Sequence, residues 1–267
     1  MSKRYVHVTT RTVAGAPPWG DTPAMRRLLL LLIALALVPA SAAHAGVRPP
    51  GLDTPLGNEQ LSNEETISRW AFNLFPGAIF RRPWVGSGGI GNLRRFTEDR
   101  QFEIYLVLES HVDSEGETWL RVRVPRRPNG RTGWVKADRL SRLTVVRTKL
   151  LVNRKTLRAT LYRRGRVIWR SPIGVGKPGT PTPAGRFYVR ERLRNLGGGG
   201  IYGPWAFGTS NYSTLTDWPG GGVVGIHGTN QPGLLPGRVS HGCVRVPNDR
   251  IRRLARLMPL GTPIEIR

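Results

Sequence analysis

The chain has 267 residues, 39% of them hydrophobic, with 33 glycines and 22 prolines. That length and apolar content suit one large or two modest packed domains rich in strands and loops, and exclude a disordered polymer. The formal charge of +24 is almost wholly arginine, since five of the 41 cations are lysine. Such a field draws anionic partners, but no nucleic-acid-binding fold or stacking platform accompanies it, which sets nucleic acid aside.

Residues 1–24 precede a second methionine and read as an extended n-region or as the product of an upstream, unused start codon. From Met25 the stretch MRRLLLLLIALALVPASAAHAG carries two arginines, an apolar run from Leu28 to Val38, and Ala43-His44-Ala45. These are the parts of a secretory signal peptide, placing residues 1–45 in the signal region with cleavage after Ala45. Eleven apolar residues fall short of the roughly 20 that span a bilayer. No cysteine follows the run, so a lipoprotein anchor is excluded. The expected location is outside the cytoplasmic membrane, in the wall or periplasmic space.

Residues 46–65 are rich in proline, glycine and polar side chains and read as a linker. Over 66–141 come short β-type runs, FEIYLVLES and TWLRVRVP, then a turn at PNG and a further strand start at Trp134. Leu120, Val122 and Val124 alternate with Trp119, Arg121 and Arg123, a strand with one polar face. The pattern WLRVRVPRRPNGRTGWV resembles bacterial SH3-like wall-targeting domains, which implies a small β-barrel.

A second domain is expected over 145–267. KLLVNRKTLRATLYRRGRVIWRSP reads as three strands with turns at Asn153-Arg154-Lys155 and Arg163-Arg164-Gly165. A Pro/Gly loop, KPGTPTPAG, leads into a strand at Phe187–Val189. LGGGGIYGPWAFGTS, within 196–210, reads as a loop over a groove, with Tyr202 and Trp205 as candidate substrate contacts. Ile251, Leu254, Ala255 and Met258 follow helical spacing, with Asn248 or Asp249 as cap and Pro259 and Gly261 as stop. TPIEIR closes the chain as a strand. The fold class is therefore mainly β with one short C-terminal helix. Residues 46–141 carry 14 basic and 12 acidic residues, whereas 142–267 carry 22 and 4, so the second domain holds the excess charge.

Chemistry concentrates in GIHGTNQPGLLPGRVSHGCVRVPND, residues 225–249, which holds the single cysteine, Cys243, with His227 and His241. In an exported chain one cysteine has no internal partner, so it is either buried and inert or a reactive thiol. A neighbouring histidine can take the thiol proton, hold the pair as thiolate and imidazolium, and return the proton to a leaving amine. His241 lies two residues from Cys243, about 6–7 Å along an extended strand, which is long for a direct base. His227 lies beyond a loop, and a hairpin closing that loop brings it across from the thiol. Gly242 allows close backbone approach. Two histidines and a cysteine can ligate zinc, but the H-x-C spacing without a CxxC or HxxxH partner fits common ligand sets poorly, and no metal is expected.

IHGTNQPGLLPGRVSHGCVRVPND resembles the signature of the YkuD-type L,D-transpeptidases, in which an upstream histidine precedes a Ser/Thr-His-Gly-Cys block. TPTPAGRFYV matches that family's Thr-Pro-x-Gly-x-Phe entry, and GTPIEI its closing strand. The resemblance covers about residues 145–267 and implies a β-rich catalytic domain. It implies Cys243 as nucleophile and His227 as proton donor and acceptor. Ser240, His241 and Gly242 would shape the site, with the Gly242 and Cys243 N–H groups as an oxyanion hole. Arg245 stands where part of the family has asparagine and suits a donor carboxylate. Gly228, a further candidate substrate contact, stands where some members have serine, so a backbone carbonyl is left to orient His227.

The implied activity is transfer of a peptidoglycan stem tetrapeptide through a cysteine thioester, releasing D-alanine and forming a 3→3 cross-link with a second stem's amine. No cofactor is implied. The same site can serve an L,D-carboxypeptidase or a protein-anchoring transpeptidase, and a non-catalytic wall-binding protein is the remaining alternative. Carbapenems are implied as covalent inhibitors, and anionic wall polymers are candidate partners of the basic domain. NlpC/P60 peptidases place the cysteine first and sortases space the two residues much farther apart, against 16 positions here.

Overall fold

Runs rich in valine, isoleucine and aromatics, broken by Gly, Pro and Asn, favour pleated, half-buried surfaces joined by tight turns. The computed structural model describes residues 57–195, 200–217 and 219–267; the expected signal peptide lies outside them. All described residues fall in one compact unit. They form a mainly β protein with two sheets and one α-helix.

The first sheet comprises β1 (Gly57–Gln60), β2 (Ser68–Phe72), β3 (Ala78–Phe80), β4 (Gly89–Asn92), β5 (Ile104–Val112), β6 (Thr118–Arg123), β7 (Thr132–Lys136) and β8 (Thr144–Val146). Their order is β4-β3-β7-β6-β5-β2-β8, with β1 also paired to β5. The expected strands at FEIYLVLES, TWLRVRVP and Trp134 are β5, β6 and β7. Residues 57–65 do not form a free linker. They supply β1, and Leu61, only 3% exposed, packs into the core of this sheet.

The unbroken run Ile104-Tyr105-Leu106-Val107 is buried on both faces. Tyr105 and Val107 enter the core of the first sheet, while Ile104 and Leu106 pack with Trp70, Val146 and Tyr188. Tyr188 belongs to the second sheet, so β5 is where the two sheets join. Its hydroxyl donates to the Ile104 carbonyl at 2.8 Å.

The second sheet comprises β9 (Thr148–Asn153), β10 (Arg158–Arg163), β11 (Arg166–Pro172), β12 (Gly174–Gly176), β13 (Gly185–Arg194), β14 (Trp205–Tyr212), β15 (Val223–His227), β16 (Gly237–Ser240), β17 (Val244–Arg245) and β18 (Pro263–Ile266), with helix α1 (Asn248–Leu257) between the last two. The order is β11-β10-β9-β18-β13-β14-β15-β17-β12-β16. The three expected strands are β9, β10 and β11, with turns where the sequence places them. TPIEIR forms β18, inserted between β9 and β13. The stretch expected as a loop from Leu196 to Ser210 is β14 from Trp205 onward, a strand in the middle of the sheet.

The apolar face of α1 behaves as its spacing predicts: Ile251, Leu254 and Ala255 are buried with Val244, Val246, Ile264 and Ile266. Its cap differs. Pro247 occupies the cap position without a side-chain bond, because Asn248 Oδ1 accepts the Thr229 N–H at 2.9 Å instead. The asparagine that could cap the helix holds the segment after His227.

Polar contacts also tie the sheets together. The guanidinium of Arg190 (β13) pairs with Glu103, the residue just before β5, and neither side chain is exposed. Arg190 also meets Glu98 at 3.0 Å, and the Tyr212 hydroxyl donates to Glu98 at 2.7 Å. Burial pushes the Glu98 carboxyl up, but Arg190, Tyr212 and Arg94 together hold it below its ordinary value. Breaking such a buried pair from one side leaves an uncompensated charge, so this junction fixes the relative placement of the two sheets.

Candidate active site

β15 and β17 pair in parallel, Ile226 with Val244 and His227 with Arg245. The segment between them therefore crosses over instead of closing a hairpin, and β16 within it pairs with β12. One step earlier in the same register, the Gly225 N–H donates to Cys243 Sγ at 3.3 Å. A methyl group placed on Gly225 would lie 3.7 Å from His227 Cδ2 and 3.8 Å from Cys243 Sγ. The crossover thus brings the two side chains together over one glycine.

The turn before Cys243 is a bend at His241–Gly242, not an extended strand. Gly242 has φ +127°, a conformation that side-chain-bearing residues rarely adopt, and a Cβ there would sit 3.3 Å from Ser213 Cβ. Buried Ser240 accepts the Gly242 N–H at 3.2 Å and donates to the Cys243 carbonyl at 2.6 Å. Thr182, also buried, donates to the Gly242 carbonyl at 2.7 Å and accepts the Gly176 N–H at 2.9 Å. Thr180 donates to the Ser240 carbonyl at 3.2 Å. The TPTP loop is the clamp on the cysteine turn.

The expected oxyanion pair is not available as drawn from sequence, because the Gly242 N–H is taken by Ser240. The Cys243 N–H donates to no acceptor among the described residues, which leaves it as the backbone donor beside the thiol.

His227 is 4% exposed, and its Nδ1 lies 2.6 Å from the Gly228 carbonyl. A carbonyl only accepts, so Nδ1 carries the proton and Nε2 is left with the lone pair. A backbone carbonyl does orient this histidine. Tyr202 packs edge-on against the imidazole, with ring centroids 4.9 Å apart.

Burial lowers the His227 pKa to about 4, with Arg245 adding to the effect and the Gly228 carbonyl opposing it. Burial raises the Cys243 thiol, against the Gly225 N–H and Arg245. Burial thus favours a neutral thiol and a neutral imidazole at rest over the thiolate–imidazolium pair that composition suggests. It penalises the charged form of each group and is the largest influence on both.

Cys243 and His227 line a cavity of about 380 Å³. Its floor is one face of the sheet, where the strand period of two brings up Leu193, Ala206, Gly208, Gly225 and His227. Tyr202 also lines it. A small recess beside it is lined by Tyr202, His227, Ser240, His241, Cys243 and Arg245. His241 is exposed at that recess. Arg245 donates from Nη1 to Gln231 Oε1 at 3.1 Å, and its Nε is buried without a partner among the described residues.

Two expected substrate contacts sit elsewhere. Gly228 is buried and meets Asn248 Oδ1, Pro204 and Gly203, so it is a packing position and not a contact surface. Trp205 lines a separate cavity of about 580 Å³ with Arg192, Arg194, Arg252 and Arg256. A Gly228→Ala variant would place its Cβ 2.9 Å from Pro204 Cδ and 3.0 Å from Gly203 Cα. It is expected to lose about 1–3 kcal/mol in urea denaturation, with thiol alkylation of the native state retained.

Sequence reasoning missed Glu191 and Asp99, which line the same cavity. Glu191 is 2% exposed; its Oε2 accepts the Thr97 hydroxyl at 2.6 Å, its Oε1 meets no donor among the described residues, and the Asp99 carboxyl stands within hydrogen-bonding reach of it. Burial raises this carboxyl to about 7, with the Thr97 hydroxyl opposing and the Asp99 carboxylate adding. The signal in the sequence was its rarity: residues 142–267 hold four acids, and only Glu191 and Glu265 stand inside strands.

Residues 147–266 match the family model described as the YkuD L,D-transpeptidase catalytic domain. YkuD of Bacillus subtilis strain 168 is 38% identical over 115 residues, covering 43% of this chain and 62% of that protein. YqjB of the same strain, grouped by name with the same enzymes, is 30% identical over 125 residues, covering 44% of this chain and 69% of the relative. This chain thus spans less than two thirds of the YkuD relative's own length. The catalytic domain of the Enterococcus faecium L,D-transpeptidase, solved by NMR, is 28% identical, with 45% of this chain and 96% of that one aligned and a TM-score of 0.34. Relatives of this identity and extent, over the segment that carries the thiol and its histidine, establish that the chain belongs to the L,D-transpeptidase family.

Proposed function

We propose that the protein is an exported L,D-transpeptidase that joins peptidoglycan stem peptides through a thioester on Cys243. The observation that carries this reading is the His227 Nδ1–H bond to Gly228, which leaves Nε2 as a base beside the thiol over Gly225. Nε2 takes the thiol proton as Sγ attacks the carbonyl carbon of the L,D-amide. The C–N bond breaks, and the imidazolium returns the proton to the departing D-alanine amine. A neutral amine from a second stem then attacks the thioester; a C–N bond forms, the C–S bond breaks, and the thiol is regenerated. With the stem's third residue as both acyl and amine source, the product is a 3→3 cross-link.

The Cys243 N–H is the donor for the developing oxyanion. Arg245, with its unpartnered Nε, suits the carboxylate of the terminal D-alanine. Carbapenems would acylate the same thiol. The four-arginine cavity beside Trp205 suits anionic wall polymers. The short antiparallel strands of residues 57–146, with their GWV and WLRVRV runs, support an SH3-like module. The basic, apolar and A-x-A parts of residues 25–45 support export to the wall or periplasmic space.

Incubating the mature protein with a disaccharide-tetrapeptide should yield free D-alanine and a covalent adduct that mass spectrometry maps to the peptide containing Cys243. Product formation with no adduct, or an adduct on another residue, would overturn the reading.

A further inference from the structure

The cavity has two chemically different ends, joined by a row of residues across the sheet. Glu191 on β13 pairs with Gly208 on β14, and Gly208 pairs with Gly225 on β15. Gly225 in turn bonds Cys243 Sγ. Residues directly paired across strands project to the same face. A Cβ on Gly208 would collide with Glu191 Oε1, and a Cβ on Gly225 would meet Sγ, so the carboxyl lies over one glycine and the thiol over the next. With strands about 4.8 Å apart, the two groups stand on the order of 5–10 Å from each other along a side-chain-free trough.

The carboxyl end is built from both sheets. Thr97 and Asp99 come from the segment before β5, and Glu191 from β13. Two carboxyls sharing one site repel when both are ionised. The buried Oε1 of Glu191 has no donor among the described residues, and Asp99 stands exposed at the opening. A protonated amine placed between them would satisfy the orphan oxygen and relieve the repulsion. The surrounding domain is strongly cationic, so this acidic end is the place in the cavity where an ammonium group is attracted.

We propose that Asp99 and Glu191 form the subsite for the ammonium group of the acyl acceptor, an inference that rests on the thioester reading above. The donor's reactive amide lies at the thiol end and the acceptor's amine enters over Gly208. The bound ammonium passes one proton to the carboxylate of the pair, and the neutral amine attacks the thioester carbonyl. The C–N bond forms, the C–S bond breaks, and the second amine proton reaches the leaving sulfur through His227. The acid then returns its proton to water at exposed Asp99. On this assignment the first sheet is part of the acceptor site and not only a spacer. The elevated Glu191 pKa supports a carboxyl that exchanges its proton near neutral pH.

The test uses the mature protein with a tetrapeptide donor and a tripeptide acceptor ending in a diamino acid. Thioester formation is followed by intact mass without acceptor, and cross-linked dimer is followed against acceptor concentration. Asp99→Asn, at an exposed position, and Glu191→Gln, nearly isosteric, should each raise the acceptor KM about tenfold. That rise should exceed any change in the rate of thioester formation by a similar factor. An acceptor KM equal to wild type in both variants, or one that moves only in step with thioester formation, overturns the assignment while leaving the thioester intact. A wild-type protein that never forms the thioester removes the underlying reading, and the acceptor site with it.

Discussion

Cys243→Ala should lower D-alanine release by at least about 10³-fold, His227→Gln by a comparable factor, and the double variant by no more than either alone. The two side chains act as one unit, because the thiol has no nucleophilic form until His227 accepts its proton. A raised thiol beside a histidine lowered to about 4 stores no ion pair, so proton transfer must accompany attack instead of preceding it. Alkylation of Cys243 by iodoacetamide in the free enzyme should therefore keep rising with pH beyond about 8.5, where an ordinary thiol reaches its midpoint. A plateau in that rate below neutral pH would mean a preformed thiolate–imidazolium pair and would contradict the neutral resting state. Losses that multiply in the double variant would mean that the two residues serve separate steps.

Much of this site was legible from sequence, but only where chemistry and local pattern coincide. A lone cysteine with two histidines nearby, and a glycine before it, marks a reactive turn. The β9–β11 strands and the apolar face of α1 were equally readable from alternation and helical spacing. What sequence could not supply was long-range pairing. A hairpin was the simplest way to bring His227 toward Cys243, whereas the chain uses a parallel crossover that no local signal specifies. The stretch LGGGGIYGPWAFGTS reads as loop by composition, yet Ala206 and Gly208 are strand residues whose small size keeps the cavity floor clear. Gly228 invited a functional reading, and packing against Asn248 and Pro204 explains it. The Gly242 N–H suits an oxyanion hole by its place beside the cysteine, and only the folded turn gives it to Ser240 instead. Glu191 became visible only once β13, β14 and β15 were laid side by side, since the residues it answers to lie 17 and 34 positions away.

Between pH 4.5 and 6.5 the stability of wild type should be nearly flat, while His227→Gln grows less stable with rising pH and Glu191→Gln more stable. His227 is held down from 6.5 to about 4, so across this window the unfolded chain binds its proton and the folded one does not. Stability from that source rises with pH by about 2 kcal/mol over the window and is lost as pH falls. Glu191 is pushed up from 4.5 to about 7, so the folded chain keeps a proton that the unfolded chain has released. Its contribution is fully present below pH 4.5 and falls by about 2 kcal/mol as pH rises to 6.5. The two slopes oppose and cancel in wild type. Glu265, held at about 2, and Glu98 and Asp113, also held low, act mainly below this window. Urea denaturation at five pH values for the three proteins measures the slopes directly. Slopes of the same sign in both variants would mean that these two groups do not both lie in a dry cavity. Opposite slopes would mean that the cavity keeps a neutral base beside the thiol and, at its other end, a carboxyl that gains and loses its proton near neutral pH, within reach of an incoming ammonium group.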